Sequence, residues 1–230
     1  MCGRFSLKAS GADLAERFGL AEAPDLPPRY NIAPTQPVAV VRAGPGGVAL
    51  ALLRWGLIPR WAQDPGIGSR LINARAEAVA EKPAFREAFR RRRCLVPADG
   101  FFEWSARGGR KQPYYFRLRD GRPFAFAGLW ESWRGADGQA LETCALLTTE
   151  ANGVVGPVHG RMPVILGPAD YGRWLDPRAQ GPGQLRLLLR PYPAEEMAAY
   201  PVGRWVNDPR HEGPRCVQPW EEGRDQLPFR

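Results

Sequence analysis

If Met1 is removed, the chain of 230 residues begins with Cys2, which then carries an α-amine beside its thiol, a combination that no internal residue has. Cys2 directly follows the initiator methionine, and Gly3 and Arg4 come next. A small second residue is the usual signal for methionine removal, so we expect the mature chain to begin with Cys2. Its amine would condense with an aldehyde to an imine, and its thiol would then close a five-membered thiazolidine ring. A free α-amine has a pKa of about 7.7–8.0, so an appreciable fraction is nucleophilic at neutral pH. The alternative is an ordinary small apolar residue near a frayed terminus.

Charge and composition narrow the class of protein. The formal net charge is +8, which favours a polyanionic partner, nucleic acid first. Of the 32 basic residues only Lys8, Lys82 and Lys111 are lysine, and this arginine excess is also typical of a GC-rich genome. The charge therefore supports a nucleic-acid partner without proving one. The densest cluster, Arg90–Arg93, reads as a solvated helix end.

Several classes of protein are not expected. The four cysteines are widely spaced and there are only two histidines, so we predict no metal site, no cofactor and no disulfide. No stretch approaches the roughly 18–20 apolar residues of a membrane span. The first residues do not read as a signal peptide. We therefore expect a cytoplasmic, nucleoid-associated monomer without a membrane partner.

The elements that must position the terminus are mostly strands. Short apolar runs separated by glycine-rich turns predict an α+β fold with one β-dominated domain. We expect a mostly antiparallel, barrel-like sheet with peripheral short helices. The domain is predicted to cover residues 1–220, with an irregular C-terminal tail over 221–230.

Four helices follow from the local pattern. Ser10 is a candidate N-cap for a helix over Gly11–Phe18. Ala76–Arg92 reads as helical with an interruption near Pro83, and Pro168–Leu175 and Ala194–Ala199 suggest further short helices.

Four segments combine chemically useful side chains with glycine and proline. The sequence reads MCGR at the start, then NIAPT and WGLIPRW, then INARAE and PADGFFEW, and finally HGRMP. In this order the chain resembles the SRAP family (SOS-response-associated peptidase domain), whose members share MCGR, N-x-A-P, WGL-x-P-x-W, INARAE, P-x-x-GF-x-EW and HxRMP. The resemblance runs from Cys2 to about Val217. A single such motif would be weak, whereas the ordered set is specific.

The resemblance implies a function and a set of site residues. The family is understood to suppress the toxicity of abasic sites in single-stranded DNA by crosslinking its N-terminal cysteine to the ring-opened sugar, which protects the site during the DNA damage response. It implies catalytic roles for Cys2, Asn73, Glu103 and His159. It also implies that Arg4 and Arg75 contact DNA phosphates, and that Pro34 and Trp61 contact the DNA and redirect it.

Residue chemistry agrees with these roles. The imidazole of His159 exchanges a proton near neutrality and suits opening of the sugar ring. Glu103 lies between Phe102 and Trp104, and burial there would raise its pKa and suit acid–base work at the amine. Asn73 has no useful proton but offers hydrogen bonds to the amine or thiol. The alternatives are a structural histidine and a solvated strand glutamate.

The other candidates have a chemical reason too. Arginine forks match phosphate oxygens, and a tryptophan stacks on an exposed base. We expect Glu77 to pair with an arginine nearby in the sequence, and His211 to be a surface residue.

Two other functions remain open from the residues. The first is a cysteine peptidase that removes its own Met1, since an amidase needs only the thiol. The second is a basic module that binds nucleic acid without covalent chemistry. Binding that survives loss of Cys2 and shows no preference for abasic DNA would identify that module.

Overall fold

The computed structural model describes residues 2–44, 46–105, 111–136, 138–179 and 181–220. Within these ranges the strands are β1 Phe5–Leu7, β2 Arg29–Ile32, β3 Pro37–Gly44, β4 Gly47–Trp55, β5 Asn73–Arg75, β6 Arg93–Ala98, β7 Gly100–Ser105, β8 Gln112–Leu118, β9 Phe124–Arg134, β10 Ala140–Glu150, β11 Arg161–Pro163, β12 Ile165–Leu166 and β13 Met197–Pro201. The α-helices are α1 Gly11–Phe18, α2 Arg86–Arg91, α3 Pro168–Leu175 and α4 Pro182–Arg186. Single 3₁₀ turns cover Pro65–Arg70, Ala194–Glu196, Arg204–Asn207 and Pro214–Val217.

Two sheets make up the fold. In the first, hydrogen bonding runs from β10 through β4, β3, β6 and β9 and back to β10, which closes a five-stranded barrel. The β10–β4 pair is parallel, and the other pairs of the ring are antiparallel. The second sheet has the order β13-β8-β7-β1-β2. The predicted α+β class, with a barrel-like sheet and short helices, is confirmed.

Aromatic packing joins the second sheet to the barrel. Phe5 of β1 makes edge-on contacts with Trp55 of β4 at 5.2 Å and with Phe126 of β9 at 5.7 Å between ring centroids. All three side chains are almost completely buried. Aromatic pairs of this kind contribute about 0.5–1.5 kcal/mol beyond the area that they bury. The anchor lies three residues after Cys2, so it fixes where the N-terminus enters the molecule.

Helix α1 begins and ends where the sequence predicts. Ser10 Oγ accepts a hydrogen bond from the Asp13 amide at 3.2 Å, and the Asp13 carboxylate accepts one from the Ser10 amide. This reciprocal capping satisfies two donors that a helix N-terminus otherwise leaves unpaired. Gly19 ends the helix in the left-handed conformation that favours glycine.

Two helix predictions are wrong. Only α2 is helical within Ala76–Arg92, because the Ala76 amide donates to the Thr148 carbonyl at 2.9 Å and so continues the pairing of β5. In Ala194–Ala199 a 3₁₀ turn gives way to β13, which pairs with β8. In both segments sheet pairing overrides local helix propensity.

The arginine cluster is also not the solvated helix end that we expected. Arg90 and Arg91 are exposed, but Arg92 and Arg93 are buried. Arg92 pairs with the buried carboxylate of Glu131 at 2.8 Å. Arg93 donates to main-chain carbonyls at the ends of α2 and α3, including that of Trp174 at 2.7 Å. Buried guanidinium groups need such partners, so these two residues hold helices to the barrel.

Two further findings concern the rest of the chain. The predicted tail at 221–230 lies outside the described residues. In the part of the chain that the structure describes, no helix is long and apolar enough to cross a membrane.

Candidate active site

The pairing of β1 with β7 places the N-terminus beside Glu103. The Phe102 amide donates to the Arg4 carbonyl at 2.9 Å, and β1 and β7 are antiparallel. Continuing this register puts Gly3 opposite Glu103, so Cys2 lies close to that carboxylate. A glycine at position 3 keeps the approach to the terminus unobstructed.

Cys2 is fully buried in the chain that still carries Met1. Burial raises the pKa of its thiol far above the ordinary value, the Glu103 carboxylate raises that pKa further, and a contact with the Arg4 carbonyl at 3.9 Å lowers it in part. The thiol is therefore neutral at physiological pH. It differs in this from the low-pKa thiolates of cysteine nucleophiles.

Asn73 binds the main chain of Cys2. It begins β5, which pairs in parallel with β10 so that Asn73 lies opposite Leu146. Its Nδ2 donates to the Cys2 carbonyl at 2.8 Å. Because a carbonyl can only accept, this contact fixes which way the amide points. Oδ1 of Asn73 is buried and, among the described residues, makes no hydrogen bond. A buried acceptor without a donor is costly, so this atom is poised for an N–H donor near Cys2.

Glu103 is the buried carboxylate of the site. It is only 4% exposed and lies in β7 next to the fully buried Phe102. Burial raises the pKa of Glu103, and the charge of nearby His159 lowers it in part. The dominance of burial matches the expectation from its apolar neighbours in the sequence.

His159 is held by its own main-chain neighbourhood. Its Nδ1 lies 3.0 Å from the Arg161 amide and 3.0 Å from the Arg161 carbonyl. Without a proton Nδ1 accepts from that amide, and with a proton it donates to that carbonyl. Nδ1 therefore has a main-chain partner in either form, and Arg161 fixes the orientation of the ring.

Arg4 belongs to an internal network. Its Nη1 donates to Oδ1 of Asn31 at 2.7 Å and to the Val206 carbonyl at 2.8 Å, and its guanidinium lies over Trp104 at 5.7 Å. Burial lowers the pKa of Arg4. Asn31 is itself fully buried and donates to the carbonyls of Asp208 and His211. Arg4 is thus fixed beside the terminus by β2 and the segment after Arg204.

The other DNA-contact candidates lie on the surface. Arg75 follows Asn73 by two residues on β5 and is exposed. Trp61 is 61% exposed. Its loop is anchored on both sides, because Arg60 pairs with the buried Glu131 at 2.9 Å and the Ala62 carbonyl accepts from Trp133 Nε1.

Pro34 lies in a tight turn tied to the end of β4. The Gln36 amide donates to the Ala33 carbonyl at 3.4 Å, and the Thr35 amide donates to the Trp55 carbonyl at 2.8 Å. Thr35 has a φ of 71°, a left-handed conformation that costs a β-branched residue about 1–3 kcal/mol. Since Trp61 follows β4 by six residues, the turn and the Trp61 loop begin at the same strand end.

The structure thus brings the predicted residues into two groups. Contacts and charge interactions link the four catalytic candidates, Cys2, Asn73, Glu103 and His159. Pro34 and Trp61 belong instead to two loops at the end of β4. His211, predicted to be a surface residue, is partly buried and stacks on Trp205 with ring centroids 3.5 Å apart.

Sequence reasoning gave no role to two positions that the structure shows to matter. Asn31 was visible only as part of the N-x-A-P motif. Arg161 was visible within HxRMP, but its side-chain partner Glu77 lies 84 residues away.

Residues 1–209 match the family model of the SOS response associated peptidase (SRAP). The chain belongs to this family. In the described part of this SRAP chain, no three His, Cys, Asp or Glu side chains come together in a group that could hold a metal ion.

Relatives of this SRAP chain carry names that refer to abasic sites. The chain is 40% identical to the abasic site processing protein YoqW of Bacillus subtilis, over 95% of this chain and 99% of YoqW. It is 31% identical to the abasic site processing protein HMCES of Gallus gallus, over 97% of this chain and 79% of HMCES.

Solved structures share the fold. A crystal structure of a protein from Bacteroides thetaiotaomicron superimposes with a TM-score of 0.86 at 28% identity, covering 96% of this chain and all of that chain.

Proposed function

We propose that this protein processes abasic sites by forming a covalent thiazolidine crosslink between single-stranded DNA and its mature N-terminal cysteine. The observation that carries the proposal is the amide of Asn73. Its Nδ2 binds the Cys2 carbonyl, while its Oδ1 is a buried acceptor without a donor among the described residues. Removal of Met1 would supply a donor, the free α-amine. The names of the relatives support the same substrate.

The reaction conserves atoms without an oxidant or reductant. The Cys2 amine adds to the aldehyde carbon of the ring-opened sugar, and the carbinolamine loses one water to give an imine. The thiol sulfur then adds to the imine carbon, and its proton passes to the nitrogen. The amine reacts first, and the sulfur then attacks an already activated carbon. Reversal takes up one water.

The two titratable residues divide the proton transfers. We assign ring opening to His159, because main-chain groups of Arg161 hold its Nδ1 and fix the orientation of the ring. We assign proton transfer at the amine and the departing water to Glu103, whose raised pKa keeps a proton available nearer neutrality. The adjacency of Glu103 to the terminus through β1–β7 pairing supports this division.

The DNA path follows the exposed residues. Arg75 presents a guanidinium to a phosphate beside the reacting sugar, and Arg4 presents one from the inner side. Trp61 projects from an anchored loop and stacks on an exposed base, while the Pro34 turn redirects the strand. The net charge of +8 assists association with the polyanion.

The decisive experiment is incubation with single-stranded DNA that holds one abasic site. We expect the intact mass of the adduct to equal protein without Met1 plus DNA minus one water. Cys2→Ala should form no adduct that survives a denaturing gel. Cys2→Ser keeps the amine and should give only an imine that borohydride traps. Stable crosslinking by Cys2→Ala without reductant would overturn the proposal.

The peptidase alternative requires different functional groups at the N-terminus. A peptidase needs the thiol alone, whereas a thiazolidine needs the amine as well. Blocking the α-amine of the mature protein by acetylation should abolish crosslinking. The raised pKa of the Cys2 thiol disfavours a peptidase, which needs a thiolate.

A further inference from the structure

An ion pair crosses β10 next to the reaction centre. Arg161 Nη1 donates to one carboxylate oxygen of Glu77 at 2.7 Å, and Nη2 donates to the other at 3.0 Å. Nη2 also donates to the Thr148 carbonyl at 2.7 Å. Two parallel bonds of this kind fix the plane and direction of a guanidinium, which a single contact does not.

The pair connects β5, which carries Asn73, with β11, which begins two residues after His159. Glu77 comes two residues after β5, and Arg161 begins β11. These strands pair with the same end of β10, β5 in parallel and β11 antiparallel, around Thr148. The Thr148 carbonyl accepts from both sides, from the Ala76 amide and from the Arg161 side chain.

The main chain of the same arginine holds the catalytic imidazole. Both main-chain partners of His159 Nδ1, the amide and the carbonyl, belong to Arg161. A shift of Arg161 would therefore move both contacts at once. The guanidinium contacts with Glu77 and with the Thr148 carbonyl limit such a shift from the side-chain end, and the two bonds to Glu77 fix the plane of the guanidinium.

We infer that Glu77 is a positioning residue, which acts through Arg161 to hold His159 in the orientation needed for proton transfer. The expected effect of Glu77 on the crosslinking rate rests on the proposed function, whereas its expected effect on the orientation of His159 does not. Glu77 touches no reacting atom. Its side chain is 55% exposed, so its ion pair contributes little to folding and its replacement leaves the fold intact.

The chain offers a matched control. Glu81 forms the same kind of exposed pair, with Arg186 at 3.0 Å, and its side chain is 74% exposed. We therefore compare Glu77→Gln with Glu81→Gln, which removes the same charge away from Arg161. Glu77→Asp keeps the charge on a shorter side chain and serves as the conservative variant.

The kinetic test is single-turnover crosslinking at saturating abasic DNA, together with DNA affinity and Tm. We expect Glu77→Gln to slow the saturating rate about tenfold, as a displaced catalytic group does. Glu81→Gln should match the wild type, and Glu77→Asp should recover part of the loss. If Glu77→Gln crosslinks at the rate of Glu81→Gln, the inference is wrong. A change in DNA affinity with an unchanged saturating rate would also overturn it, because Glu77 would then act only as a charge.

A second readout does not require crosslinking. The protein has two histidines, so ¹⁵N imidazole spectra of a His211→Gln background report on His159 alone. We expect one set of sharp ring signals with Glu77 present and shifted or broadened signals in Glu77→Gln. Unchanged spectra would refute the positioning role. A change of these signals in a protein that forms no adduct with abasic DNA would support the role of Glu77 while refuting the proposed function.

Discussion

The proposed reaction centre (Cys2, Asn73, Glu103 and His159) and the two loops at the end of β4 that carry Pro34 and Trp61, here called the rim, differ in how far their side chains are exposed. Cys2 is fully buried and Glu103 is 4% exposed, whereas Trp61 is 61% exposed between two anchored neighbours, Arg60 and Ala62. Burial sets the charge states of the centre, and exposure leaves the rim available to a large partner. Changes at the centre should therefore alter rates with little effect on affinity, and changes at the rim should alter affinity with little effect on rates.

The largest effect should come from the centre. Glu103→Gln keeps the shape of the side chain and removes its titratable proton, so we expect crosslinking to slow by about 10²–10⁴-fold, as for a positioned acid–base group. DNA affinity should stay near that of the wild type. Single-turnover rates and binding titrations on the same samples test this. A parallel loss of DNA affinity would contradict the prediction that the centre controls the rate and the rim controls the affinity.

His159→Gln should slow both crosslinking and reversal, because microscopic reversibility uses the same proton carrier in both directions. The expected loss is again about 10²–10⁴-fold, less whatever spontaneous ring opening contributes. Release of DNA from a preformed adduct measures the reverse step. Wild-type rates in both directions for both variants would reduce the catalytic set to Cys2.

The rim should show the reverse pattern. Trp61→Ala removes an exposed indole, so we expect the loss of one base stack, about 1–3 kcal/mol of binding free energy. The saturating crosslinking rate and Tm should not change. Affinity for single-stranded DNA, measured with and without the abasic site, tests this. A slower rate at saturation would mean that the rim also orients the sugar.

Arg75 and Arg4 test the proposed phosphate contacts. Each Ala variant should reduce the slope of log affinity against log salt by about one unit if one phosphate contact is lost. Only Arg4→Ala should also lower Tm, because it deprives Asn31 and the Val206 carbonyl of a donor. Salt titrations and melting curves test this. Unchanged slopes would remove both residues from the phosphate contacts.

The smallest effect concerns stability and pH. Burial raises the pKa of Glu103 above its unfolded value of about 4.3, so the folded state binds the extra proton. Stability relative to Glu103→Gln should therefore fall as pH rises from the unfolded pKa through the folded one, and then level off. Melting temperatures of both proteins across this window test the sign. A constant difference would mean that the carboxylate is not penalised by burial.

The sequence predicted the features that depend on local patterns. The N-cap at Ser10 and the turn-rich run of strands are read from neighbouring residues, and the fold class follows from the run of strands. The motif order also pointed to Cys2, Asn73, Glu103 and His159, which the structure links.

Long-range pairing was not visible in the sequence. The helix expected over Ala76–Arg92 fails because Ala76 pairs with Thr148, more than seventy residues later in the chain. Glu77 was expected to pair with an arginine nearby in the sequence, and that expectation is wrong, because its partner is Arg161, 84 residues later and across β10. Which residues meet in this way depends on strand register, and register is fixed only when the barrel closes.

Because β1 is an interior strand of its sheet, Cys2 becomes buried only at a late stage of synthesis. β1 lies between β2 and β7, so Cys2 is enclosed only after the ribosome has made residues up to Ser105. At about 5–20 residues per second this takes roughly 5–20 s. During that interval the first residues are an extended nascent chain, open to an aminopeptidase. Methionine removal that comes later would have to compete with a folded terminus.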